Sequence, residues 1–321
     1  MAKRYIGIDL GGTSMKLGIV DEKGQLLYKM EEPTLTDEKA ESGISRMAKS
    51  IRRLADETDT PWEEVGGLGL GLPGFLDIPG GKILRLTNIP WENVSIKEIL
   101  EEELRVPVAI DNDANVAAMG EAWSGAGASF SDLICVTLGT GVGGGIIVGG
   151  QLVHGVSGLA GEIGHIQVVE DGSLCGCGQY GCVETISSAT GMVRLVKEAI
   201  SEGRQTSLAA KKEKLTARDI FEAAKEHDAV AIHVIDEATV ALARVLAILS
   251  VVNNPEAFII GGGVSQAGEL LFRPLTEAYT RRCLSHASAG VQILPAQLGN
   301  DAGIIGAAGL TAKQKMNRRM A

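Results

Sequence analysis

Apolar segments of strand length alternate with glycine turns and helical patterns from the start of the chain. Apolar side chains dominate Tyr5 to Leu10 and Met15 to Val20, and a Gly-Gly-Thr turn separates these two segments. Between residues 39 and 57 the apolar positions recur at the three- and four-residue spacing of an amphipathic helix. Shorter apolar segments at 67–72 and 106–110 have the length of buried strands. The pattern therefore predicts strands connected by helical crossovers, which is an α/β organisation.

The same order of elements returns near the middle of the chain. Ile134 to Gly141 aligns with Ile6 to Thr13, and Gly150-Gln151-Leu152 then aligns with Gly24-Gln25-Leu26. Because the match extends over strand, turn and strand, we interpret it as an internal duplication. The alternative is a chance likeness of two glycine-rich hairpins.

We predict two related α/β lobes from this duplication. A smaller lobe covers residues 1–120 and a larger one covers 121–321, with the helix near 301–312 packing back on the first lobe.

Two capping boxes, at residues 95–98 and 216–219, predict helix starts, because a Ser or Thr side chain there accepts from the first N–H groups of a helix.

Composition narrows the class of protein. The net charge is −10, with 30 Lys and Arg against 40 Asp and Glu, and so argues against non-specific binding to nucleic acid or membranes. The longest apolar region, residues 229–252, contains His233, Asp236, Glu237 and Arg244, so we expect no membrane span. Five cysteines, three of them crowded together, favour a reduced cytoplasmic protein over a disulfide framework.

Glycine is unusually frequent, at 42 of 321 residues, and three glycine turns follow predicted strands. Such turns let consecutive N–H groups converge on an anion. The first glycine turn is Gly11–Thr13, the second is Gly139–Gly141 and the third is Gly261–Gly263. We predict that the first and second turns, one from each lobe, hold a di- or triphosphate from both sides. We predict that the third turn lies beside a base and ribose. The alternative is that these glycines only form hairpins. The predicted nucleotide contacts are Asp9, Gly11, Gly12, Thr13, Gly139, Thr140, Gly141, Gly262 and Gly263. Asp9 is also placed to hold Mg²⁺, directly or through water.

A cluster of metal-binding residue types lies in the second half of the chain. His165, Cys175, Cys177 and Cys182 supply one imidazole and three thiolates, the ligand set of a tetrahedral zinc site. Four protein ligands close the coordination shell, so we predict a structural zinc ion that holds the loop from about 165 to 185. The alternative is three incidental buried cysteines.

A set of polar residues has the composition expected of a polyol site. Asp113 is the candidate general base for phosphoryl transfer to a hydroxyl, and Asn112 is a candidate substrate contact. Both are also good helix N-caps, and the two roles are compatible. Carboxylates at Glu162 and Glu184 lie beside the predicted zinc loop and could accept hydrogen bonds from neighbouring hydroxyls. The Gly71–Gly74 segment and Asn88 could close the other side of such a pocket.

These residues together resemble the ROK family of sugar kinases and regulators, and within it the bacterial glucokinases. The most specific segments are Asp9 to Thr13, Glu162 to His165 and Cys175 to Glu184, and the likeness covers nearly the whole chain. The resemblance implies an actin-like, ribonuclease-H-like fold, two α/β lobes around a central cleft, with phosphorylation of a sugar 6-hydroxyl by MgATP and Asp113 as general base. The sugar contacts it implies are Gly74, Asn88, Asn112, Asp113, Glu162, His165 and Glu184. His165 would bind zinc through one ring nitrogen and sugar through the other.

The resemblance leaves several functions open. Glucose is the first expected substrate, and N-acetylmannosamine, N-acetylglucosamine, allose and fructose are the alternatives. Sugar-sensing repressors of the family carry an N-terminal helix-turn-helix domain, and because the first phosphate turn begins at Asp9 we do not expect the protein to be such a regulator. A non-enzymatic actin-like protein would not explain the zinc ligands. The family also implies a homodimer or homotetramer.

Overall fold

A computed structural model describes the backbone of residues 3–320 and the side chains of residues 3–211 and 213–312. Strands and helices alternate along most of the chain. The strands are β1 Arg4–Leu10, β2 Ser14–Asp21, β3 Leu26–Pro33, β4 Val65–Leu72, β5 Gly74–Asp77, β6 Lys82–Leu86, β7 Glu92–Val94, β8 Val108–Asn112, β9 Leu133–Leu138, β10 Val142–Val148, β11 Gln151–Leu152, β12 Ala257–Gly261 and β13 Gln292–Pro295. The helices are α1 Ala40–Glu57, α2 Ile96–Leu104, α3 Asp113–Ser124, α4 Glu184–Ser187, α5 Ala189–Ser201, α6 Ala217–Lys225, α7 Ala229–Val252, α8 Glu269–Arg282, α9 Ser285–Ser288 and α10 Ala302–Met320.

Two five-stranded sheets share one order of strands. The first runs β3-β2-β1-β4-β8 and the second runs β11-β10-β9-β12-β13. In the first sheet β1 pairs antiparallel with β2 and parallel with β4. In the second, β12 is parallel to both β9 and β13. The repeated order is the arrangement that the internal duplication predicts.

The chain divides into two compact units. Unit 1 consists of Met1–Ser129, Gly145–Ala160 and Leu298–Ala321, and unit 2 consists of Phe130–Gly144 and Gly161–Gln297. In unit 1, an aliphatic core that includes Ile6, Ile8 and Leu70 is continuous with the buried faces of α1 and α2. In unit 2, the long helix α7 packs against α4, α5, α6 and α8.

The helix α10 covers the first sheet at very short range. It packs against β1, β4 and α3. Gly7 in β1 and Gly69 in β4 face the backbone carbonyls of Ile304 and Ala307, and a Cβ at either glycine would overlap these carbonyls. Glycine is therefore required at both positions for the helix to lie on the sheet.

The two predicted capping boxes have different outcomes. Thr216 and Asp219 form the reciprocal pair at the start of α6. Helix α2 also starts where predicted, but within the described structure the Ser95 side chain makes no capping hydrogen bond. The N–H of Lys97 instead donates to the carbonyl of Gly81, at 3.1 Å, so a neighbouring turn satisfies a first-turn donor.

The apolar helix predicted over 229–252 is α7, and its buried residues face other helices. Among the described residues, no helix combines the length and the apolar character needed to cross a bilayer.

Candidate active site

Three predicted site segments of unit 1 lie at one edge of the first sheet. Parallel strands end at the same edge, which is where α/β proteins bind ligands. In the sheet register Asp9 lies beside Gly71, and Gly71 lies beside Asp111. The ends of β1, β4 and β8 therefore bring the first glycine turn, the segment leading to Gly74 and the β8–α3 turn to one edge.

The first glycine turn is closed by its own backbone. The N–H of Gly11 donates to the carbonyl of Ser14 at 2.9 Å, and the hydroxyl of Thr34 donates to the carbonyl of Gly11 at 2.8 Å. Thr13 is exposed at the tip. The side chain of Asn88 lies next to the turn, since a Cβ on Gly12 would be 2.9 Å from its Nδ2. A predicted sugar contact thus adjoins the predicted phosphate turn.

Asp9 is half-buried at the end of β1. Burial raises the pKa of its carboxyl group, and the neighbouring Lys16 opposes that rise. Gly303 at the start of α10 lies against the same carboxylate, where a side chain would collide with it. A nearby cation would stabilise the ionised form of this partly buried carboxylate. Carboxylate oxygens are also ligands that Mg²⁺ prefers, so Asp9 fits a magnesium site.

Asn112 and Asp113 form the turn from β8 into α3. Asn112 is the N-cap, and its Oδ1 accepts from the N–H of Ala114 at 2.8 Å. Asp113, the first residue of the helix, accepts from the same N–H at 2.9 Å and is exposed. The capping interpretation is therefore correct for Asn112, and Asp113 has the exposure that a general base needs.

The sequence analysis did not identify His154 as a site residue, nor the hydrogen bonds that Asp111 makes. His154 Nε2 lies 2.7 Å from Asp111 Oδ2, and Asp111 is only 1 % exposed. The hydrogen bond to Asp111 raises the pKa of His154, and the partial burial of the imidazole opposes that rise. Forty-three residues separate the pair, and the sequence contains no motif that joins them.

In unit 2, the second and third glycine turns lie side by side. They follow β9 and β12, which are parallel neighbours with Thr137 beside Gly261. Gly262 has φ +84, and a Cβ there would overlap the carbonyl of Leu138. The carbonyl of Gly139 accepts from the first N–H of α5, that of Ala189, at 2.9 Å. Two predicted nucleotide segments are thus held at one sheet edge.

A pocket of about 370 Å³ adjoins the third turn. It lies between α6 and the short helix that begins at Gly263, with Phe221, Arg218 and Lys225 among its lining residues. At Gly263 no atom lies within 4 Å of the position of a Cβ, so the backbone there faces open space. Glu222 also lines the pocket and accepts from Lys225 at 2.9 Å, so Arg218 is the lining cation without a salt bridge to a carboxylate within the described structure. The apolar ring, the Arg218 guanidinium and the exposed backbone suit a base and ribose phosphate.

The four predicted metal ligands form one cluster, with all ligand atoms within 4.8 Å of one another. Cys177 Sγ is 3.7 Å from Cys182 Sγ, and Cys175 Sγ is 3.5 Å from His165 Nδ1. Tetrahedral zinc with bonds of about 2.3 Å to sulfur spaces its ligand atoms by roughly 3.5–3.8 Å. Burial raises the pKa of Cys175 to about 12, so this thiol needs a bound cation to ionise. The residues therefore fit zinc.

The two predicted carboxylates differ in their surroundings. Glu162 is exposed, and its Oε2 lies 3.9 Å from His165 Nε2, the ring nitrogen not facing the cysteines. Glu184 is half-buried, and its Oε2 accepts from the N–H of Val142 at 2.9 Å, just after the second glycine turn. Its Oε1 lies 3.5 Å from Cys175 Sγ. Glu184 thus connects the cysteine cluster to the second glycine turn.

Comparison with known proteins agrees with this geometry. A sequence model of the ROK family matches residues 5–314. A glucokinase from Halalkalibacterium halodurans is 41% identical over 315 residues, 97% of this chain and 96% of the relative. A ROK family glucokinase from Streptomyces griseus, solved in complex with glucose and AMPPNP, is 37% identical with a TM-score of 0.78, over 97% of this chain and 99% of that one. A ROK hexokinase from Thermus thermophilus is 33% identical with a TM-score of 0.84, over 98% and 99%.

Fold and site together define an α/β protein of the actin-like ATPase class, as the sequence predicted. The family model covers nearly the whole chain, and the relatives match over nearly their full lengths. The chain belongs to the ROK family.

Proposed function

We propose that the protein is an ATP-dependent glucokinase, which transfers the γ-phosphoryl group of ATP to the 6-hydroxyl of D-glucose. The observation that carries this proposal is the 37% identity, over nearly both whole chains, to a glucokinase solved with glucose and AMPPNP. The 41% identity to a second glucokinase supports it.

Asp113 is the proposed general base. It is exposed at the first residue of α3, where its backbone is fixed by the cap at Asn112. Its carboxylate takes the proton of the sugar 6-hydroxyl as that oxygen bonds to the γ-phosphorus and the bond to the leaving ADP oxygen breaks. Phosphoryl transfer demands little else of the protein beyond positioning and charge neutralisation.

Sugar hydroxyls are the proposed partners of a set of polar residues near the glycine turns and the cysteine cluster. The set is Gly74, Asn88, Asn112, Asp113, Glu162, His165 and Glu184. Within it, the orientation of His165 supports the predicted double role, since Nδ1 faces the cysteines and Nε2 faces away from them. A zinc ion held by His165, Cys175, Cys177 and Cys182 would fix that ring and the loop around it.

The nucleotide is the proposed ligand of the three glycine turns. Backbone N–H groups at Gly11 to Thr13 and Gly139 to Gly141 would meet the phosphates, and Gly262 and Gly263 would adjoin the base and ribose. Asp9 would hold Mg²⁺, directly or through water. The pocket beside Gly263 supports the placement of the base. We also propose a cytoplasmic homodimer or homotetramer.

A sugar panel tests the proposed substrate. ADP release is measured with glucose, fructose, mannose, allose, N-acetylglucosamine and N-acetylmannosamine, each over a range of concentrations. Glucose should give the highest kcat/KM. A higher kcat/KM for an amino sugar would instead identify the protein as an amino-sugar kinase. A site that hydrogen-bonds a particular substrate group discriminates strongly against sugars that lack this group.

Asp113→Asn tests the proposed base. The amide keeps the size of the side chain but cannot take a proton, so we expect kcat to fall by about 10²–10⁴-fold. Binding of ATP, measured by calorimetry, should stay within about twofold, because Asp113 lies outside the glycine turns. Asp77→Asn, an exposed change at the end of β5, is the matched control and should leave kcat unchanged. Near-normal turnover of Asp113→Asn would remove Asp113 from this role.

A further inference from the structure

His154 and Asp111 form a hydrogen-bonded pair that the proposed chemistry does not use. The distance between His154 Nε2 and Asp111 Oδ2 is 2.7 Å, and the side chains are 34% and 2% exposed. Both residues belong to unit 1, with His154 just after β11 and Asp111 near the end of β8. The buried carboxylate therefore has a titratable partner that solvent can reach.

The other oxygen of Asp111 holds the turn that presents Asp113. Asp111 Oδ1 accepts from the N–H of Asn112 at 2.8 Å and from Nδ2 of Asn115, also at 2.8 Å. These two donors lie on either side of Asp113 in the sequence. The single carboxylate thus ties the end of β8 to the first turn of α3.

This arrangement also fixes the side chain of Asn115. A carboxylate accepts from every donor around it, which obliges Asn115 to present its NH₂ group. Asn115 is 2% exposed, and its Oδ1 has no hydrogen-bond partner within the described structure, so Asn115 is buried at a cost to make this one bond. A displaced Asp111 would lose at least one of these bonds.

The second oxygen of this buried carboxyl group also needs a hydrogen-bond partner, and His154 supplies it. Lys97 lines the same cavity of about 340 Å³ as Asp111 and His154, without a described hydrogen bond to Asp111. A cation elsewhere in the cavity is therefore no substitute for the directional bond from Nε2. The imidazole is the group that sets the position of the carboxylate.

We propose that His154 is a positioning residue for phosphoryl transfer: through Asp111 it fixes the β8–α3 turn and so the direction in which Asp113 is presented to the sugar hydroxyl. This inference rests on the proposed function, in which Asp113 is the general base. His154 itself touches no reacting atom. Its contribution is transmitted along three hydrogen bonds, from imidazole to carboxylate and from carboxylate to both sides of the turn.

The test is a double-mutant cycle with three variants in two backgrounds. His154→Leu removes the donor, His154→Gln keeps an N–H donor at a similar distance from the backbone, and Lys97→Met is the control from the same cavity. Each is made in the natural chain and in Asp113→Asn. Turnover of glucose, KM for ATP and the thermal midpoint are measured for all of them.

In the natural background, His154→Leu should lower kcat by about 10–100-fold, since displacement of a reacting group by about 1 Å costs a factor of this size. KM for ATP should stay within about twofold, because the nucleotide turns are untouched. His154→Gln should recover part of the loss, and Lys97→Met should match the unchanged chain. In the Asp113→Asn background, His154→Leu should cause no further loss of kcat, since effects of residues that act as one unit are not additive.

Equal losses in both backgrounds would show a merely structural role for His154 and overturn the inference. Unchanged kcat for His154→Leu would overturn it as well. If His154→Leu does not fold, His154→Gln carries the same comparison. Near-normal turnover of Asp113→Asn alone would overturn the proposed base and with it this inference, whereas a strong effect of Asp113→Asn with no effect of His154 would overturn this inference only.

Discussion

Asp111 is 1% exposed, yet both of its carboxylate oxygens have hydrogen-bond partners. One oxygen accepts from the β8–α3 turn and the other lies against His154. At the scale of single residues, a buried carboxyl group of this kind is tolerated because both of its oxygens have polar partners, Asn112 and Asn115 on one oxygen and His154 on the other. The same bond that holds Asp111 changes the titration of His154.

Stability should therefore depend on pH through His154. The hydrogen bond to Asp111 raises the pKa of the folded imidazole above that of the unfolded chain. The contribution of protonated His154 is then fully present below the unfolded pKa, about 6.5, and is lost as the pH rises through the folded pKa. We expect the difference in free energy of unfolding between the natural chain and His154→Gln to shrink from pH 6 to pH 9. Urea unfolding at several pH values measures it, and a difference that does not vary with pH would contradict the assignment.

Sequence alone could predict the positions of site residues that follow the end of a strand or that lie close together in a short motif. Asn112 and Asp113 were predictable because they follow an apolar strand and open a helix, and the structure puts them there. His154 was not, because its partner lies 43 residues away and only the folded chain joins them. A polar contact over such a distance leaves no periodic pattern in the sequence.

At the scale of elements, the loop from residue 165 to 185 has little regular structure. Isolated bridges join Gln167 to Cys182 and Leu174 to Tyr180, and the chain between His165 and the start of α4 at Glu184 is otherwise turns and irregular coil. Its cysteines and its glycines were predictable together, since close ligand spacing requires tight backbone curvature. The contact from Glu184 to the N–H of Val142 was not, because it joins the loop to a separate strand.

Loss of one zinc ligand should loosen this loop. Purified protein should contain about one zinc per chain, and Cys177→Ser should lose it, because three ligands bind zinc far more weakly than four. We expect a fall in the thermal midpoint of roughly 5–10 °C and a rise in KM for glucose larger than that for ATP. Elemental analysis, thermal unfolding and steady-state kinetics measure these changes.

Cys283→Ser is the matched control for this experiment. Cys283 follows α8 and is not a member of the cluster. The same chemical change there should leave the zinc content at one per chain. Full activity of Cys177→Ser without metal would contradict the zinc assignment.

At the scale of the whole molecule, two sheets with the same strand order account for most of the architecture. The repeated strand-turn-strand pattern predicted that likeness, and the family and fold expected from the motifs are confirmed. It was harder to predict from the sequence which segments of the chain form each unit. Unit 1 takes residues from three parts of the chain, and that assignment depends on which surfaces meet rather than on local patterns.

Removal of α10 should unfold unit 1. Deletion of residues 298–321 removes the buried side chains of Ile304 and Ile305 and uncovers β1 and β4. Burial of each such side chain contributes about 1.5–3 kcal/mol to the free energy of unfolding. The loss of both, together with the exposure of the sheet face that α10 covers, exceeds the usual free energy of unfolding of a domain. We expect insoluble or unfolded protein, assessed by circular dichroism and sedimentation.

The control deletes only residues 313–321. The buried side chains described in α10 end at Ala312, so this shorter deletion should leave the thermal midpoint within a few degrees. If the longer deletion proved equally stable, the packing of α10 on the sheet would not be what holds unit 1 together.

The place of α10 in the sequence has a consequence for the newborn protein. A ribosome releases the chain from its N-terminus, and the helix that closes over Gly7 and Gly69 is made well after the strands that contain them. The first sheet must therefore keep one face uncovered until α10 has been translated. Nascent chains of this protein are exposed to aggregation during that interval, and they should be clients of chaperones that bind apolar segments at the ribosome.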